Sequence, residues 1–201
     1  MTKAIPVVIL AGGRATRMGG GDKCLLPLGG RVILDHVLDR AAGRTVVLNA
    51  NGDPTRFDRF GVQVVSDSIT EFPGPLAGIL AGMDWAADQG ATHVVSVPGD
   101  TPFFPRSLFQ RFDARAEDGL IHLAGSTEHD GRNVRQPTFG LWPTDLRDDL
   151  RSALAEGVRK VVIWAERHKF QVEEFGDSAA FFNINRPEDL AEAELRLRAR
   201  A

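Results

Sequence analysis

Leu10-Ala11-Gly12-Gly13-Arg14-Ala15-Thr16-Arg17-Met18-Gly19-Gly20-Gly21-Asp22-Lys23 is the stretch whose reading decides the fold. It continues the apolar run Ile5 to Leu10, which is short enough for a buried strand, so a strand here feeds a glycine-rich loop. Such a loop exposes backbone N–H groups that can close around phosphate oxygens, and Arg14, Arg17 and Lys23 add the charge to hold them. The pattern describes a nucleoside triphosphate site. It contains neither the G-x-x-x-x-G-K-[ST] of P-loop NTPases nor the G-x-G-x-x-G of dinucleotide-binding turns. Taken alone, the stretch also fits a flexible loop with solvated basic residues.

Working outward, runs rich in Val and Ile alternate with segments of helical period, the signature of a largely parallel sheet covered by helices on both faces. Strands are predicted at Ile5–Leu10, Thr45–Asn49, Val62–Val65 and His93–Val97. Helices fall between them, carrying Ile33, Leu34, Val37, Leu38 and Ala41, then Leu76, Ile79, Leu80, Met83 and Trp85. Further on the pattern predicts a helix over Arg106–Ala116, strands near Ile121–Ala124, Pro137–Leu141 and Phe170–Phe175, and helices near Asp145–Ala155 and Val158–Arg167. A last helix starts at Pro187, a favoured first helical position, with Glu188 and Asp189 in its first turn. No repeat or linker interrupts the chain, so residues 1–201 read as one α/β domain of three layers with a mainly parallel sheet.

Composition narrows the partners. The chain has 201 residues, 43% hydrophobic and 25% charged, as expected of a globular protein. With 24 basic against 27 acidic side chains, nothing global draws it to nucleic acid or an anionic membrane. No apolar stretch approaches the ~18 residues of a transmembrane helix. The single cysteine, Cys24, cannot form an intramolecular disulfide, which fits a cytoplasmic location. Cys24 and the Leu76–Met83 stripe read as packing. His36, His93, His122, His129 and His168 lack the spacing of a zinc site.

Chemistry concentrates after the strands. Asp100, stopped among Pro98-Gly99-Asp100-Thr101-Pro102, is placed at a strand's carboxyl end, where α/β sheets bind ligands. It suits Mg²⁺, which takes one or two carboxylates with water and phosphate oxygens; capping the following turn is its other ordinary use. Asn51 and Asp67 fall on the same rim. A carboxylate there could accept from guanine N1–H and its exocyclic amine, although both residues also suit turns. Asn183 and Asn185 precede the last helix and could either contact a ligand or cap that helix. Arg132, Arg135 and Gln136 read as a polar loop before the Pro137–Leu141 strand.

The Leu10–Lys23 stretch closely resembles the L-A-G-G-x-x-x-R-M-G-…-D-K signature of nucleotidyltransferases, specifically of the molybdenum cofactor guanylyltransferases. Four further stretches resemble that family's later motifs in the family's order: Val46–Asn51, Asp67-Ser68 with Pro73–Gly78, Gly99–Pro102 and Asn183–Leu190. The resemblance implies a Rossmann-like nucleotidyltransferase fold that joins GMP from GTP to molybdopterin carrying molybdenum, releasing pyrophosphate with Mg²⁺ as cofactor. It implies catalytic roles for Lys23, Asp100 and Arg17, with Asp100 the metal ligand. Leu10, Ala11, Gly12, Gly13, Lys23, Asn51, Asp67 and Asp100 are implied on the nucleotide, and Asn183, Asn185, Arg132 and Arg135 on the acceptor. A molybdoenzyme or a cofactor-delivery protein is a natural recipient of the product. Gly12-Gly13 favours guanylyl over cytidylyl relatives, which more often have Ala-Gly there. The rival readings are a cytidylyltransferase or sugar-phosphate nucleotidyltransferase of the same fold, and a non-catalytic GTP-binding cofactor chaperone.

Overall fold

The computed structural model describes residues 4–13, 21–69 and 74–199. In chain order it contains β1 (Val7–Leu10), the short pair β2 (Pro27–Leu28) and β3 (Arg31–Val32), α1 (Ile33–Arg40), β4 (Val46–Asn49), β5 (Gln63–Val65), α2 (Pro75–Asp88) and β6 (His93–Pro98). There follow α3 (Leu108–Asp113), β7 (Ile121–Thr127), β8 (Asn133–Pro143), α4 (Arg147–Ala155), α5 (Val161–Ala165), β9 (Phe170–Asp177) and α6 (Pro187–Arg198).

Seven strands form one sheet in the order β5-β4-β1-β6-β8-β7-β9. All its neighbours pair parallel except those involving β8, which runs antiparallel to both β6 and β7. The sheet separates two apolar cores, as the alternation of side chains along a strand requires. Val7 and Ile9 of β1 face one side with Leu34, Val37, Phe104 and Phe112. Val8 faces the other with Leu76, Ile79, Leu80, Met83 and Trp142. Helix α2 lies close on the sheet because Gly78 and Gly82 carry no Cβ. One added at Gly82 would stand 2.5 Å from a Val8 methyl.

Two features depart from the sequence expectation. The pair β2–β3 is a hairpin turned on Gly29-Gly30, both at positive φ (59° and 77°), a two-residue turn of the kind that glycine pairs favour. Strand β8 begins at Asn133 rather than Pro137, so Arg135 and Gln136 are strand residues and not a loop. The proline was misleading because it sits at an irregularity: the β7–β8 register shifts between Leu123 and Ala124, opposite Gly140 and Gln136. A bulge tolerates a residue without an N–H, and the strand continues through it.

Candidate active site

Strands β1, β4, β5 and β6 run in one direction and end on one rim. Pairing continues past their ends: Ala11 N–H donates to the Asn49 carbonyl at 2.9 Å, Ala50 N–H to Val65 at 3.0 Å, and Gly99 N–H to Leu10 at 2.9 Å. Residues that follow separate strands are thereby set side by side. A cleft of about 700 Å³ opens above them, walled by Leu10, Gly12, Gly13, Asp67, Asp100 and Asn183, with Asn51 also on its lining. Ala11 lies buried behind it. Gly99 permits this closeness, since a Cβ there would come within 3.2 Å of the Leu10 carbonyl oxygen.

Asp100 and Lys23 meet across the glycine-rich loop. Lys23 N–H donates to the Gly13 carbonyl at 3.0 Å, which draws the far end of the loop back to its start. Its Nζ then lies 3.7 Å from Asp100 Oδ2, with side chains only 19% and 16% exposed. Burial raises the Asp100 pKa above the ordinary carboxylate value, and the Lys23 ammonium pulls the other way. A largely desolvated carboxylate with one partial counter-charge is a ready acceptor of a further cation. Cys24 next door is buried and its thiol is pushed up to about 12, chiefly by burial, so it is an inert packing group.

The last wall comes from the segment before α6. Ile184 N–H donates to the Asp100 carbonyl at 3.0 Å. Asn185 Oδ1 accepts from Lys23 Nζ. Neither asparagine caps the helix: Asp189 Oδ2 accepts from the backbone N–H groups of Asn185 and Arg186, at 2.8 and 2.9 Å. Of the two alternatives for these asparagines, capping is therefore removed. Asn183 lines the cleft, and Asn185 reaches the lysine.

Asp67 sits farther along the same rim, after β5, held by two amides. Asn49 Nδ2 donates to its Oδ1 at 2.9 Å and Asn51 Nδ2 to its Oδ2 at 2.7 Å, while Asp67 N–H returns a bond to Asn51 Oδ1 at 2.9 Å. Asp22 also faces the cleft, but its charge is matched by Arg56, whose Nε donates to it. Arg56 donates in addition to the Asn51 carbonyl at 2.7 Å, tying the glycine-rich loop to the Asn51 rim.

Other predicted residues are not brought here. Arg132 lies in the exposed β7–β8 turn, and its N–H donates to Asp130 at 3.0 Å. Arg135 points to Glu166, 2.9 Å away, and stacks on Phe170. Arg17 falls outside the described residues. Sequence reasoning missed Asn49, Asp22, Arg56 and Thr138, the last also on the cleft lining. Asn49 carried a signal, standing two residues before Asn51 and hence on the same face of an extended segment. Thr138 carried none.

Residues 7–170 match the MobA-like NTP transferase domain. A molybdenum cofactor guanylyltransferase of Bradyrhizobium sp. (strain ORS 278) is 48% identical over 96% of this chain and 93% of its own. The chain belongs to the molybdenum cofactor guanylyltransferase family. A second member of this guanylyltransferase family, from Mesorhizobium japonicum, is 47% identical over 96% of both chains. Among solved structures the guanylyltransferase fold recurs in molybdopterin-guanine dinucleotide biosynthesis protein A of Archaeoglobus fulgidus, with a TM-score of 0.74, 22% identity, and coverage of 97% of this chain and 100% of that one. It recurs too in 2-C-methyl-D-erythritol 4-phosphate cytidylyltransferase of Thermus thermophilus, with a TM-score of 0.73 and 20% identity over 96% and 98% of the two chains. These two likenesses concern the fold.

Proposed function

We propose that the chain transfers GMP from GTP to the molybdenum-bearing molybdopterin cofactor, forming molybdopterin guanine dinucleotide and pyrophosphate. The observation that carries this reading is the convergence of Asp67, Asp100 and Asn183 on one cleft, with Lys23 Nζ 3.7 Å from Asp100, in a chain of this family. An oxygen of the acceptor's terminal phosphate attacks the α-phosphorus of GTP in line. The new P–O bond forms as the bond to the bridging oxygen breaks, and that electron pair leaves with pyrophosphate. The glycine-rich loop and Lys23 orient the triphosphate and offset the charge that builds on the leaving group. The acceptor is itself a phosphate, so no protein nucleophile is required.

Mg²⁺ fits the donor set. Among the described residues no group of three or more His, Cys, Asp or Glu side chains gathers to hold a metal. The half-buried Asp100 carboxylate supplies one oxygen donor, and Mg²⁺ commonly takes one or two carboxylates and completes its shell with substrate phosphates and water. When bound it would neutralise phosphate charge. Asp100 is the proposed ligand, because Asp22 is already matched by Arg56. No helix of the described residues is long and apolar enough to cross a membrane, and we place the reaction in the cytoplasm, with molybdoenzymes or delivery proteins receiving the product.

The direct test supplies each nucleoside triphosphate with molybdopterin and reads which dinucleotide forms and whether pyrophosphate is released. A guanine dinucleotide is expected. A cytosine dinucleotide would transfer the reading to the cytidylyl relatives, and GTP binding without pyrophosphate would make the protein a chaperone. Asp67→Asn should lower the preference for GTP over ITP and ATP by about 1–3 kcal/mol, the scale of a good bidentate base contact. An unchanged preference would move base reading to backbone groups.

The asparagines should separate. Asn183→Ala is expected to raise the apparent KM for molybdopterin by the equivalent of about 0.5–1.5 kcal/mol with GTP affinity nearly unaltered. Asn185→Ala also frees Lys23, so its kcat should fall as well. Neither should cost the ~1 kcal/mol of a lost helix cap, since Asp189 does the capping. Melting temperatures measured beside both substrate affinities check this.

A further inference from the structure

Asn49 is a buried amide whose surroundings are fitted to it. It is 5% exposed, at the last position of β4, and its Nδ2 donates to Asp67 Oδ1 at 2.9 Å with the Val65 carbonyl at 3.4 Å. The space its side chain occupies exists because residue 78 of α2 is glycine. A Cβ built there would stand 2.2 Å from Asn49 Oδ1 and 2.9 Å from Leu10 Cδ2. Gly78 lies inside a fourteen-residue helix, at a position where its φ is ordinary, so the backbone gives no reason for glycine. Glycine in a helix interior is unfavourable by roughly 1 kcal/mol relative to alanine. The close approach of Asn49, with Leu10 beside it, supplies the reason.

The amide acts on a carboxylate that needs orienting. Asp67 follows β5, where its backbone is no longer held by strand pairing and its side chain is partly exposed. Asn49 from below and Asn51 from the rim each take one oxygen, which fixes the plane of the carboxyl group. Each oxygen keeps a second lone pair for a ligand. A planar carboxylate fixed at both oxygens can meet two parallel N–H donors at once, as presented by the N1–H and 2-amino group of guanine. A carboxylate free to rotate would accept from one donor at a time and would discriminate less.

We propose that Asn49 is a positioning residue for base selectivity: it holds Asp67 in the orientation that accepts a two-donor purine edge, in a space that Gly78 leaves open. The inference rests on the reading of Asp67 as the base-contacting carboxylate. Asn49 itself lies beneath Asp67 and acts through it.

The test compares kcat/KM for GTP, ITP and ATP in the full chain with molybdopterin as acceptor, for the parent, Asn49→Asp, Gly78→Ala and Asp67→Asn. Asn49→Asp keeps the shape but sets a carboxylate against the Asp67 carboxylate. Gly78→Ala leaves both residues chemically intact and crowds the amide from the helix side. Each is expected to lower the GTP preference about tenfold, with the rate on ITP changed much less. Asn49→Asp and Gly78→Ala combined should lose less than the product of the two single losses, since both act on one contact. An unchanged preference in Asn49→Asp and Gly78→Ala, beside a lowered one in Asp67→Asn, overturns the role of Asn49 and leaves Asp67 as base reader. An unchanged preference in all three overturns the Asp67 reading and this inference with it. A uniform loss on all nucleotides with a lowered melting temperature assigns Asn49 to structure alone and likewise overturns the proposal. Should Asn49→Asp fail to fold, Gly78→Ala decides between the same outcomes.

Discussion

Asp100→Asn is expected to lower kcat by about 10²–10³ while the protein remains folded. The amide keeps the shape of the side chain, so the Ile184 N–H bond to the residue's backbone carbonyl survives. What disappears is the negative charge that opposes Lys23 and is proposed to hold the metal. Stability should move the other way. The Asp100 pKa is raised chiefly by burial, so folding makes this carboxyl bind its proton more tightly. A group of that kind subtracts from stability as pH rises from its unfolded pKa through its folded one, and the full subtraction applies above the folded one. Asp100→Asn should therefore melt at or above the temperature of the parent at pH 7, and the difference should shrink in acid. Turnover within a few-fold of the parent, in a folded variant, would remove Asp100 from the metal site.

Lys23→Met is the second large effect. It keeps much of the stem and removes the ammonium, and a similar loss of about 10²–10³ in kcat is expected from the missing charge on the triphosphate. The variant also carries a pH signature. Lys23 holds the Asp100 pKa down against burial, so its removal lets that pKa rise further. If the ionised carboxylate is needed, the acid limb of kcat/KM moves to higher pH. The variant should then regain part of its activity as pH increases, relative to the parent. A lower rate with an unshifted acid limb would separate the lysine's work on phosphate from any influence on Asp100.

Much of the scaffold was legible because buried parallel strands announce themselves as continuous Val and Ile runs, and β1, β4, β5 and β6 lie within two residues of their expected positions. Beyond β6 the signal weakened for a physical reason. Strand β8 is antiparallel, half polar toward the turn, and contains a proline at a register shift, so periodicity marked only its apolar end. Site residues one or two places after a strand were legible for the same reason that the rim exists: Asp100, Asn51 and Asp67 follow apolar runs directly. Partners that depend on pairing between distant elements were not. Arg56 carries no mark in the sequence, and only the fold, in which Pro54–Phe60 forms a 3-10 helix, sets it between Asp22 and Asn51. Asn185, two residues before Pro187, looked like a helix cap, and only the competing Asp189 shows that its amide is directed elsewhere.

The contact between Lys23 and Asn185 joins residues 162 positions apart. The strands β1, β4, β5 and β6 lie closer together in the chain, the widest pairing being that of β1 with β6, where Val7 meets Val95. Contacts that close long loops carry a larger entropic cost and form late. During refolding, or as the polypeptide leaves the ribosome, the wall proposed to face GTP is expected to form before the wall proposed to face the second substrate. Competence for the proposed transfer is then expected to arrive with the docking of α6, and a time course should show bound GTP appearing ahead of product.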